Sequence, residues 1–203
     1  AVVALALVIA LALPGTAHAG TITAGEPAAT SADPKSVVFR VSVQAPAGLQ
    51  SATLDYKLFN PDTTVGGSQP AEVNGSTAID ATVTLETNTA TRYIPIGSRF
   101  TYTWTLVDKE GARIVTPQRE FVFLDGRYQW QEKTTGNFTV YWYGDNARNA
   151  DLALQAASST TTANEALLNV KLTYPIRLVV WRREAEGEMA QQSRGGAFDR
   201  QVV

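Results

Sequence analysis

Cysteine is absent from all 203 residues, which excludes disulfide staples, thiol catalysis and cysteine-ligated zinc or iron–sulfur centres. Histidine occurs once, at His18, so no second imidazole is available to share a metal ion or to build a paired site. A dominant charge is lacking too. The 17 basic and 19 acidic side chains leave a formal charge of −2, which gives no field for capturing nucleic acid or an anionic membrane. Methionine appears once, at Met189, and not at the start. What is present is an ordinary globular composition, 44% apolar and 18% charged, too rich in apolar residues for a disordered tail.

Residues Ala1 to Leu13 read AVVALALVIALAL, uncharged and apolar, and are followed by Pro14-Gly15 and by Ala17-His18-Ala19, the small-x-small pattern of a signal-peptidase site. At 1.5 Å per residue this run is too short for a hydrocarbon layer of about 30 Å, so it reads as an export signal cleaved after Ala19. With no initiating Met and no basic n-region, the sequence is expected to begin inside that signal. Removal of residues 1–19 would take His18 with it. The mature chain from Gly20 then has neither His nor Cys, which removes a Ser-His-Asp triad and any His-ligated metal and leaves carboxylates as the obvious acid/base groups.

From Lys35 to Leu124 the hydrophobic period is two. Val37, Phe39, Val41 and Val43 alternate with polar or outward positions, as do Leu54, Tyr56 and Leu58, then Ile79, Ala81, Val83 and Leu85, then Phe100, Tyr102, Trp104 and Leu106. Pro46-Ala47-Gly48, Asn60-Pro61-Asp62, Gly66-Gly67, Asn74-Gly75 and Asp108-Lys109-Glu110-Gly111 read as turns between these strands. The pattern predicts an antiparallel β-sandwich over residues 20–125, with Phe39, Tyr56, Phe100, Tyr102, Trp104 and Phe121 inside. These aromatics read as core and not as a sugar-stacking platform, because the opposite strand faces carry Thr and charge.

Beyond Gly136 the periodicity changes. Asn137 to Tyr143 (NFTVYWY) alternates as a strand, and Gly144-Asp145-Asn146 forms a turn with an N-cap. Ala150, Leu154, Ala157, Thr161, Asn164 and Leu168 then repeat at helical spacing, beside a second stripe of Leu152, Ala156, Ala163, Ala166 and Val170. A helix of about 20 residues is expected there, with Thr160 to Thr162 as its weak point. Ile176 to Trp181 (IRLVVW) is a nearly continuous apolar run of the kind a buried central strand shows. Arg182 to Gln192 reads as a solvent-facing second helix, its charges Arg182, Arg183, Glu184, Glu186 and Glu188 as a hydrated surface instead of a catalytic cluster. Strand, helix, strand, helix is the opening of an α/β domain, and residues 126–203 are too few to close one.

Three stretches together carry a resemblance: Tyr93 to Ser98 running into Phe100 to Trp104, with Asp108 and Gly111 in the hairpin and Thr116-Pro117 after it; Phe121 to Trp130 followed by Gly136 to Tyr143; and the helix with Pro175 to Trp181, then Gly195-Gly196-Ala197-Phe198. They resemble the secreted bacterial proteins that carry a peptidase-MA-like domain, a family of gluzincin-type zinc metallopeptidases. The resemblance implies an immunoglobulin-like or fibronectin-like sandwich ahead of a metallopeptidase domain whose zinc is held by an HExxH helix and an acidic ligand. In that motif two imidazoles four residues apart share a helix face, and the Glu between them activates a metal-bound water. No position matches it here, so no catalytic, cofactor-binding or metal-ligating residue is assigned. The motif would lie downstream of Gly195-Gly196, beyond Val203.

The expectation is therefore the front portion of an exported zinc metallopeptidase, inactive by itself. It comprises a truncated signal at 1–19, a sandwich at 20–125 and the start of a peptidase-MA-like α/β domain at 126–203. Zinc and a protein or peptide substrate belong to the parent protein, nucleic acid is not a partner, and a membrane enters only through an anchor beyond Val203. The alternative is a non-enzymatic surface-binding module built on the sandwich. Asn74-Gly75-Ser76 and Asn137-Phe138-Thr139 fit the glycosylation acceptor pattern, and Gly195-Gly196 lacks the Lys and the strand-to-helix setting of a phosphate cradle; all three read as turns or strand ends.

Overall fold

The computed structural model describes residues 21–59 and 65–190. The export signal with its cleavage point, the turn at Asn60-Pro61-Asp62 and the Gly195-Gly196 stretch lie outside the described residues.

The first half is mostly antiparallel β-structure in a sandwich-like arrangement. Its strands are β1 (Thr23–Ala24), β2 (Ala28–Thr30), β3 (Ser36–Gln44), β4 (Leu49–Leu58), β5 (Val65–Ala71), β6 (Ala78–Glu86), β7 (Arg99–Asp108), β8 (Arg113–Val115) and β9 (Arg119–Val122). In one sheet β3 pairs with β6 over its whole length, while β1 and β2 pair in turn with its two ends; in the other the order is β5-β4-β7, with β8 and β9 each pairing with β7. The alternation that predicts the strands also fills the space between the sheets. Val37, Phe39, Val41 and Val43 from β3 meet Leu54, Phe100, Trp104 and Leu106 from β4 and β7, all essentially without exposure. Phe39 lies edge-on to both Phe100 and Tyr102, with centroids at 5.6 and 5.0 Å, which adds specific ring geometry to the burial.

Beyond it lie β10 (Trp130–Thr135), β11 (Phe138–Tyr143), α1 (Ala147–Leu168), β12 (Ile176–Val180) and α2 (Glu184–Ala190). β11 pairs antiparallel with β10 and parallel with β12, so the β11–α1–β12 connection crosses over one face of a three-stranded sheet. Phe138, Val140 and Trp142 face α1 and pack with Ala150 and Leu154. The remaining rings of β11, Tyr141 and Tyr143, therefore lie on the other face.

Several expectations need correction. Gly66-Gly67 does not end a ladder: both residues lie within β5 and pair with Lys57 and Tyr56 of β4. β5 is the outer strand of its sheet, where Pro70 and glycine are tolerated because one side of the strand makes no ladder. Phe121 is only partly buried and Phe123 takes the fully buried place. α1 runs unbroken through Thr160 to Thr162, with Thr162 Oγ1 bonding back to Ser158 O at 3.0 Å. Of its predicted stripes only Ala150 and Leu154 are buried, while Leu152 and Leu168 are exposed, because the sheet beneath is narrower than the helix is long. Asn146 stands at the N-cap without capping: its Nδ2 donates to Trp181 O at 3.1 Å. Ile176 to Val180 is half-buried at an edge of the three-stranded sheet and not central among the described residues.

Candidate functional site

The described residues that are densest in polar and aromatic chemistry lie where the sandwich meets the second sheet. Asp125, fully buried, leaves the last sandwich strand and holds Arg127: Arg127 Nε donates to both carboxylate oxygens at 2.9 and 3.1 Å, Nη2 donates at 2.6 Å and the backbone N–H at 3.1 Å. The hydrogen bond to Asp125 holds the Arg127 guanidinium well above the ordinary arginine range. Trp130 Nε1 donates to Asp125 O at 2.7 Å, which turns the chain into β10. Gly126 between them admits no side chain, since a β-carbon there would coincide with Ser31 O.

Four rings gather behind this corner. Tyr143 stacks on Tyr128 at 4.1 Å, Trp130 meets Tyr143 edge-on at 4.8 Å, and Trp130 meets Trp181 at 5.4 Å. The Tyr143 hydroxyl donates to Glu186 Oε2 and accepts from Arg182 N at 3.3 Å. Burial, then the bond to Glu186, pushes the Tyr143 phenol up to about 12. Glu186 also accepts from Arg183 N at 3.1 Å, so one carboxylate both orders the start of α2 and ties it to β11.

α2 is thus more than the expected hydrated surface. Glu186, Gly187 and Ala190 turn inward, whereas Arg182, Arg183, Glu184 and Glu188 stay exposed, with Arg182 Nε paired to Asp145 Oδ1 at 3.1 Å. The sequence signal for this knot was the ring density of Tyr128, Trp130 and Tyr143. The partner of Tyr143, 43 residues away, had none.

The stretches Tyr93 to Ser98, Asp125 to Trp130 and Ile176 to Trp181 converge here. Tyr93 OH donates to Ala190 O at 3.2 Å, and a cleft of about 280 Å³ opens between the loop at Pro95 and Ile96 and the β12 face at Arg177 and Val179. A second, more polar cleft of about 520 Å³ lies on the sandwich across β4, β5 and β7, lined by Asp55, Lys57, Ser68, Thr101, Thr103 and Gln118.

Zinc does not fit these residues. No three metal-capable side chains come together among the described residues, and the carboxylates of the junction are each taken by an arginine, a phenol or a backbone N–H. The Tyr93 hydroxyl on Ala190 O fixes one body against the other.

No protein-family model matches the chain. No curated protein matches it either. Among solved structures it is similar to the third fibronectin III domain of the human KIAA0343 protein, at 14% identity and a TM-score of 0.36, over 55% of this chain and 86% of that one. The sandwich itself is described by the strand order and the shared core above.

Proposed function

We propose that the chain is the non-catalytic front portion of an exported zinc metallopeptidase, in which the sandwich is a rigid spacer held on the opening β-α-β of an α/β domain. One observation supports this above the others: the sandwich loop from Tyr93 to Gly97 lies on the second sheet, with Tyr93 OH donating to Ala190 O at 3.2 Å and Gly97 pressed against Val179, where a freely hinged accessory module would need only an exposed polar linker. In this reading zinc, its ligands and the general base belong to residues outside those described. The experiment is to express the gene product extended past Val203 beside residues 20–203, and to measure zinc content and cleavage of an unfolded protein substrate. Stoichiometric zinc and cleavage by the longer chain alone are expected. A longer chain with neither zinc nor cleavage overturns the reading.

The second reading, a surface-binding module, is favoured by the polar cleft across β4, β5 and β7. It predicts that a ligand protects Lys57 and Gln118 from chemical labelling while the junction is left unchanged.

A further inference from the structure

The chain contains one Asn-Gly pair, Asn74-Gly75, in the connection between β5 and β6. Four features of this loop bear on its chemistry. Asn74 is exposed, so water reaches its amide. Gly75 has φ +74° and no β-carbon of its own to crowd its backbone nitrogen, and that N–H makes no hydrogen bond among the described residues. Ser76 Oγ donates to Asn74 Oδ1, drawing electrons from the side-chain carbonyl and making Cγ more electrophilic. The Lys109 ammonium lies against Gly75, where a positive charge favours loss of the amide proton. The loop is also pinned on its far side, because Leu49 N donates to Ser76 O at 2.9 Å and Ala45 N to Thr77 O at 2.8 Å.

We infer that Asn74 is a self-modification site, converting through a succinimide to aspartate and isoaspartate. The deprotonated Gly75 nitrogen attacks Asn74 Cγ. The new C–N bond forms as the Cγ–Nδ2 bond breaks, and ammonia leaves with the proton it takes from water. Water then adds to one of the two ring carbonyls. Opening on one side gives aspartate and on the other isoaspartate, so one amide and one water become one carboxylate and one ammonium ion. The new charge is placed beside Lys109, and the isoaspartate form lengthens the backbone just ahead of the pinned Ser76 and Thr77. The chain's other residue before a glycine of this type, Asp125, is the internal contrast: it is buried with both oxygens held by Arg127, and Gly126 is pressed against Ser31, so the same ring closure is blocked.

The test incubates the full chain at mildly alkaline pH beside a peptide of residues 70–80, and follows the amide-to-acid mass increase by peptide mapping and isoaspartate by enzymatic methyl labelling. Asn74 in the folded chain is expected to convert at least as fast as in the peptide, with isoaspartate among the products and residue 125 unchanged. Ser76→Ala and Lys109→Gln should each slow the folded chain by about tenfold, a barrier change of about 1.4 kcal/mol, while Ser76→Ala leaves the rate of the peptide of residues 70–80 unchanged. An intact Asn74 amide in the folded wild type while the peptide converts, or variants as fast as wild type, overturns the inference. A glycan found on Asn74 of protein exported from its source also overturns it.

Discussion

The two halves of the molecule reach order by different means. The sandwich has two faces to oppose, so Phe39, Leu54, Phe100, Trp104 and Leu106 lose all exposure between sheets. The second sheet has α1 on one side and is matched there by few fully covered side chains, of which Val140 is the largest. Its other side is held by the ring knot and the Tyr143–Glu186 bond. Apolar area accumulates with every buried residue, whereas polar ties contribute only about 0.5–1.5 kcal/mol each. The comparison teaches that the first half should keep its fold by itself, and that the second depends on a handful of specific contacts.

The largest effect that sharpens this contrast is truncation in the sandwich core. Phe100→Ala removes a ring that contacts Phe39 and Tyr56, and it should cost about 3–5 kcal/mol in denaturant unfolding. Leu154→Ala, at the helix–sheet contact, should lie at the low end of the range of about 2–5 kcal/mol, because the neighbouring half-exposed surface can close in. Equal losses would break the comparison. Hydrogen exchange should find β12 and the second half of α1 opening at about 2 kcal/mol or more below β3 and β7. Matching protection in the two regions would mean that they unfold as one unit.

Asp125→Ala should destabilise the chain by about 1–3 kcal/mol, a range kept low because Arg127 is partly exposed and water replaces its lost partner. Its signature is a loss of protection in β10 and β11 with β3 left unchanged. Tyr143→Phe should cost about 1 kcal/mol. The folded phenol titrates at about 12, above the ordinary tyrosine range near 10, so its contribution is fully present below that range and fades as pH rises through the folded value. Wild type should therefore lose stability on that alkaline climb, and Tyr143→Phe should lose less; parallel curves would dismiss the phenol. Smallest of all, Leu167→Lys, at an 81% exposed position, should stay within about 0.5 kcal/mol of wild type.

Legibility in the sequence followed the same divide. β3, β4, β6 and β7 were readable because each buries one face, and period two in Val37 to Val43 or Phe100 to Leu106 has no other cause. β1 and β2 were not, being two and three residues long and ordered by pairing to β3. β5 hid behind Gly66, Gly67 and Pro70, residues that local rules assign to turns and that an outer strand tolerates. β10 was hidden as well: Gln131 to Thr135 is polar on both faces, which is how an exposed edge is kept from pairing further. α1 was legible in place and length from its small-residue repeat, but not in burial, since the repeat is blind to how far the sheet below extends. The junction was the least visible part. Tyr143 and Glu186 belong to separate segments, and only the folded chain makes them neighbours.

The corner at Gly126 has a consequence for how the chain holds together. Its backbone is wedged against the carbonyl of Ser31, whose hydroxyl in turn donates to Leu124 O. A residue close to the beginning thereby clasps the exit from the sandwich, more than 90 positions later. Trimming the protein from its front past that serine would spare most of the sandwich core and still unlatch the sheet that follows, so proteolysis at one end would be felt as looseness at the other.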